Sequence, residues 1–217
     1  MSEMEFGQYT GAREVNPEAG DHVITADPAE LAAADRATRR SWRRFPYYAR
    51  RYGARGRRFS MSDSGWLLTL CDLLPDRARQ QTRWLAGVLA ARGMPQLLLE
   101  THLEMLHEEL AAARPGDGTR YGRLLECAAA LRETRLAAMP QAELEALAAG
   151  FEARVWGMRG AVREMGIVLA AAVADERAGV SNAVASVEAW ACDPACFPAE
   201  WAAEVRRTLA EGRAAAT

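Results

Sequence analysis

Glu104-Met105-Leu106-His107 is the segment whose residue types and spacing come nearest to a ligand pattern. A Glu-x-x-His pair on a helix puts a carboxylate and an imidazole on one edge, which is half of a carboxylate-bridged di-iron site. The other half must be a second such pair on another helix. His22 and His102 have no Glu three residues before them, so the chain does not contain it. A histidine-rich di-iron site would need more than the 3 histidines present. The apolar stripe of this segment is Leu99, Leu103, Leu106 and Leu110. At about 100° per residue His107 lies to one side of the stripe and His102 to the other, roughly 140° apart, too divergent for one ion. What the segment still permits is a single axial imidazole on haem iron.

The other chemistry-bearing types form weaker patterns. Cys192 and Cys196 flank Asp193-Pro194-Ala195, a spacing that fits neither a Cys-x-x-Cys redox motif nor, without a second pair, a tetrahedral zinc site. Cys71 and Cys127 sit in apolar helical patterns and are expected as buried thiols. There is no glycine-rich phosphate loop and no Gly-x-Ser-x-Gly elbow, and nothing marks any serine as a partner for a histidine. The sequence leans to a non-enzymatic chain and leaves catalytic turnover open.

Charge gives a stronger signal. The 27 basic residues are all arginine, and ten of them lie between Arg36 and Arg58, where no acid intervenes and Trp42, Phe45, Tyr47, Tyr48 and Tyr52 are interleaved. The net charge is −2, so taking away the ten positive charges of the block leaves −12 on the rest of the chain. The first half of the block reads as an amphipathic helix with Trp42 and Phe45 facing inward. The second half has no such explanation, so Tyr47, Tyr48, Arg50, Arg51, Tyr52, Arg55, Arg57 and Arg58 are the candidate residues for gripping an anion or a protein with an acidic face. Nucleic acid is the alternative occupant, through phosphate neutralisation and stacking. A DNA-reading helix-turn-helix is disfavoured, because the second helix of the nearby hairpin carries Glu100, Glu104, Glu108 and Glu109.

The elements that must position these residues are helices. Asp27-Pro28-Ala29-Glu30 is a helix start, with an N-cap acid, Pro at the first position and Glu at the third. Pro46 ends or kinks that helix, and Gly53 and Gly56 loosen the chain beyond it until Ser62-Asp63-Ser64 caps a short one. Pro75, Pro95 and Pro140 open further helices, and Gly93 closes one, leaving a hairpin of roughly 76–92 against 95–113. Helices are expected over 119–138 and over the long span 141–177, where Leu144, Phe151, Val155, Met158, Val162, Met165 and Leu169 keep heptad-like spacing. That span holds Gly150, Gly157, Gly160 and Gly166, which suggests close approach by another helix or bends. Two short helices near 182–191 and 198–212 end the chain. No alternating strand pattern appears.

The expected fold class is therefore all-α: a single antiparallel helical bundle of about six to eight helices at 27–217, preceded by an extended N-terminal tail at 1–26. The order of its elements resembles that of a globin, in order alone. That resemblance implies haem as the leading cofactor candidate, with His107 or His102 as axial ligand and Gln80 or Gln81 on the distal side. There is no signal-peptide core and no apolar run of about 20 residues, so the expected setting is cytoplasmic with no membrane partner. The leading functional expectation is a non-enzymatic interaction or regulatory protein docking an acidic protein partner through its Arg/aromatic surface, with homo-oligomers allowed. A haem-binding globin-like sensor or carrier and a nucleic-acid-associated protein are the alternatives.

Overall fold

The computed structural model describes residues 9–215, and its fold class is all-α. Among the described residues there are nine α-helices: α1 Pro28–Arg44, α2 Tyr47–Thr69, α3 Pro75–Ala90, α4 Gln96–Ala113, α5 Gly118–Ala138, α6 Gln141–Arg154, α7 Met165–Arg177, α8 Ala183–Ala191 and α9 Ala199–Ala214. Ahead of them β1 (Tyr9–Gly11) and β2 (Val23–Thr25) form an antiparallel pair, with Tyr9 opposite Thr25 and Gly11 opposite Val23. None of the described helices is long and apolar enough to cross a membrane.

The helix starts obey the expected local chemistry. The Asp27 carboxylate accepts the backbone N–H groups of Ala29 at 2.7 Å and Glu30 at 3.3 Å, satisfying two donors that the first turn of α1 cannot pair internally. Pro46 ends α1, but the chain re-enters a helix at once. α2 therefore starts fifteen residues before the cap expected at Ser62, with one non-helical residue, Gly53 (φ 55°), marking a kink. The long helix expected over 141–177 is two. Gly157 and Gly160 adopt φ of 78° and 80°, open to a residue without Cβ and costly to others, and the chain between α6 and α7 runs in successive turns. This split carries the helix count past the expected upper limit of eight.

The chain partitions into two compact units. The first comprises Met1–Arg43 (described from Tyr9), Tyr48–Thr82 and Thr101–Ala128. Its β-hairpin carries a small core of Ala12, Ala19 and Ile24, completed by Val15, Leu31 and Trp66. Gly65 packs tightly there, because a Cβ on it would lie 3.0 Å from the Ile24 Cβ. Around the buried Glu30 carboxylate, Thr25 donates at 2.5 Å and Tyr121 at 2.8 Å. Arg120 also bonds Glu30 and clamps Asp72 through two contacts of 2.6 and 2.9 Å, while Tyr9 donates to Asp72 at 2.8 Å. This network fastens both strands of the hairpin to helical side chains.

The second unit comprises Arg44–Tyr47, Arg83–Glu100 and Ala129–Thr217. α7 is its central helix, buried on all sides from Val168 to Asp175 and packed against α6, α8 and α9. A Cβ on Gly166 would meet the Ala148 carbonyl oxygen at 2.4 Å, so α7 approaches α6 with backbone against backbone. An aromatic chain continues the core. Tyr47 meets Trp190 edge-on, Trp190 meets Phe197 edge-on, Phe197 stacks on Trp201, and Trp201 meets Phe151 edge-on, with centroids 4.9 to 5.3 Å apart.

Candidate functional surface

The Arg/aromatic block is mostly engaged within the protein. Tyr47 is wholly buried in the second unit and its hydroxyl donates to the Gly93 carbonyl. In the first unit Tyr48 is buried and stacks on Trp42 at 5.6 Å, and Tyr52 lies under the Arg51 guanidinium at 5.2 Å. Arg58 and Arg55 both reach Glu18, each at 2.6 Å, and together they hold its carboxyl below the usual range. Arg57 pairs with Asp35 at 3.3 Å, and Arg39 pairs with the same acid. Arg36 and Arg40 reach Glu109, and Arg40 also bonds Glu108 at 2.5 Å. Arg44 pairs with Glu164 at 2.8 Å within the second unit. Arg50 is exposed. The acids missing from the block itself thus arrive from Glu18, Asp35, Glu108, Glu109 and Glu164.

Of the histidines, His102 is buried. Its Nδ1 lies 2.8 Å from the Ser41 hydroxyl and its Nε2 2.9 Å from the Ser64 hydroxyl. Ser64 also donates to the Ser60 carbonyl at 2.6 Å, which leaves its oxygen to accept from His102 and assigns the proton to Nε2. Nδ1 then accepts from Ser41. Burial lowers the pKa of His102 from 6.5 to about 4, and no carboxylate bonds the ring. A serine beside an imidazole is the geometry of nucleophilic catalysis, but Ser41 and Ser64 are 3% and 1% exposed. A nucleophile must be reachable and its base strong enough near neutral pH, so this triad is a structural bridge. Both ring nitrogens are already bonded, which also sets His102 apart from an axial ligand.

His107 is partly buried, with Nδ1 3.2 Å from the Tyr121 carbonyl oxygen. Gln80 is exposed and accepts from Arg77 at 3.0 Å, while Gln81 is partly buried. The cysteines are free. Cys71 and Cys127 are buried, and burial pushes the Cys71 thiol up to about 12. Cys192 Sγ faces the Ala202 carbonyl at 3.7 Å and Cys196 Sγ faces Asp193 at 3.8 Å. Among the described residues no three His, Cys, Asp or Glu side chains are grouped to hold a metal ion.

A surface that charge and motif spacing do not single out is the connection between α6 and α7. Val155 and Val162 anchor it at 2% and 3% exposure, and the N–H groups of Met158 and Ala161 close turns onto the carbonyls of Val155 and Met158. The turns hold Trp156 outward, 90% exposed. Arg159 and Arg163 are exposed too and have no ion-pair partner among the described residues. Met158, Arg159 and Gly160 then line a groove of about 620 Å³, closed by Cys196, Pro198 and Glu200. Burying an indole is worth about 2 kcal/mol or more, so a Trp fixed in water on an ordered loop departs from what folding alone favours. The available signal was Val155-Trp156-Gly157 itself, an indole beside a glycine in a span with too many glycines for one helix.

The chain matches no protein-family model, and no curated protein or solved structure is significantly similar to it.

Proposed function

We propose that this chain is a non-enzymatic helical binding protein that docks a protein partner through the segment Trp156–Arg163. The observation that carries the reading is the 90% exposure of Trp156 on a loop whose turns and buried valines fix it. Trp, Arg and Met are the types enriched at the energetic centres of protein interfaces, and here they stand together on one exposed connection. The Arg/aromatic block is the weaker surface for this purpose. A partner or a phosphate at Arg55, Arg57 or Arg58 must compete with Glu18 and Asp35.

Site-specific photocrosslinking in the cells that make the protein tests this. With p-benzoyl-phenylalanine in place of Trp156, irradiation should give a covalent adduct of discrete mass. The same group at exposed Ala32 should give none. Equal or absent adducts at both positions refute the reading. Trp156→Ala should leave the melting temperature unchanged, since its side chain contributes little to the folded interior.

A further inference from the structure

We infer that the occupant of the Trp156 groove is a second copy of the same chain, docked about a two-fold axis. This rests on the reading of Trp156–Arg163 as a docking surface and adds the identity of what docks. The groove carries one cation, Arg159, and one anion, Glu200, and both are exposed with no ion-pair partner among the described residues. An acidic partner seated there meets Glu200, and a basic one meets Arg159. A surface bearing one charge of each sign is complementary to itself.

A two-fold contact is isologous: if residue i of one copy meets residue j of the other, then j meets i. Arg159 of each copy therefore reaches Glu200 of the other, and both unpaired charges are satisfied twice by one operation. The same operation carries each Trp156, two residues from the groove wall at Met158, toward the groove of the other copy. The wall it meets has Met158 and Pro198 for apolar contact, and a methionine adapts its shape to an incoming ring. Closure at two copies also prevents open-ended growth, which an exposed indole facing an unrelated pocket would invite.

Sedimentation of the full chain under reducing conditions, from low to high micromolar, tests the inference. The reductant removes any disulfide through exposed Cys196. The mass should rise from 23.7 kDa toward twice that value. Trp156→Ala should weaken the dimer by about 30-fold or more, the effect of losing an interface hot spot, with an unchanged melting temperature. Arg159→Glu and Glu200→Arg should each weaken it by placing like charges together, and the double variant should restore it. A wild-type monomer throughout the range overturns the inference. So does a dimer indifferent to Trp156→Ala, or single-variant losses that the double variant fails to repair. A monomer that still yields an adduct of another mass from position 156 keeps the docking surface and replaces the occupant. A monomer with no adduct ends both readings.

Discussion

Acidification should strain His102 first, and the size of the effect is set by its surroundings. The buried ring takes a hydrogen bond from Ser41 and gives one to Ser64. An imidazolium must place a second proton on Nδ1, turning Ser41 from donor to acceptor and leaving its hydroxyl hydrogen to face only the Met105 sulfur, a weak acceptor at 3.5 Å. The folded pKa lies at about 4 against 6.5 in the open chain. Neutral His102 therefore contributes stability that is fully present above pH 6.5 and is lost as the pH falls toward 4. The loss is about 2 kcal/mol at pH 5 and about 3.4 kcal/mol once the folded protein is protonated as well. Nuclear magnetic resonance titration of the three imidazoles, with His102→Gln for assignment, should show one ring with its proton on Nε2 and a midpoint well below 5. Urea melts at pH 7.5 and 5.0 should show wild type losing about 2 kcal/mol more than His102→Gln between the two. A midpoint at or above 6.5, or an equal pH response in both proteins, refutes the reasoning.

Asp175 should act in the opposite sense. Burial pushes its carboxyl up to about 7, against the pull of the Gln96 N–H at 2.9 Å and of Arg135, so its contribution is greatest at low pH and is lost as the pH rises from 3.8 through 7. Asp175→Asn removes this ionisation and should raise stability at pH 8 relative to wild type by up to about 4 kcal/mol, in urea melts; a loss at pH 8 contradicts it. Glu100→Gln leaves Arg135, whose side chain is 5% exposed, without the carboxylate that bonds it at 3.0 and 3.2 Å. That should cost about 3–5 kcal/mol, and a change under 1 kcal/mol in the denaturation midpoint would show that the pair is not desolvated as described. Gly166→Ala should destabilise by about 1–3 kcal/mol through the contact with the Ala148 carbonyl, while Gly87→Ala, with open space around it, should be neutral or slightly stabilising.

What the sequence made legible is what short-range physics decides. The Asp27 cap, the prolines that open α3, α4 and α6, and the stop at Gly93 are each set within about four residues, and the structure places them where spacing puts them. The α6–α7 break escaped because its periodicity survives it. Val155, Val162 and Met165 are all buried in the structure, so the turns between them keep the same residues inward that a continuous helix would. The left-handed backbone of Gly157, Gly160 and Glu164 distinguishes the two, and neither a glycine nor a glutamate in a sequence states its φ. The burial of His102 was illegible for a different reason. Its offset from the leucine stripe of α4 is real, but Ser41 on α1 and Ser64 on α2 cover that flank, and a helical wheel holds no information about neighbours 61 and 38 residues away.

The same limit explains the arginine block. A charge run counted along the chain sees no acids between Arg36 and Arg58, but folding delivers them from Glu18, Glu108 and Glu109, as far as 73 residues away. Each exposed pair contributes little to stability, so the pairs are better understood as neutralisation than as cement. Neutralisation nonetheless bears on binding, because a cation already facing a carboxylate at 2.6 Å offers a newcomer only an exchange. Arg159 and Arg163 carry no such competitor, since their guanidiniums have no ion-pair partner among the described residues, and they follow in sequence an indole that folding has left in water. The proposed docking surface follows from this, since charge and apolar surface remain unsatisfied together at the α6–α7 connection.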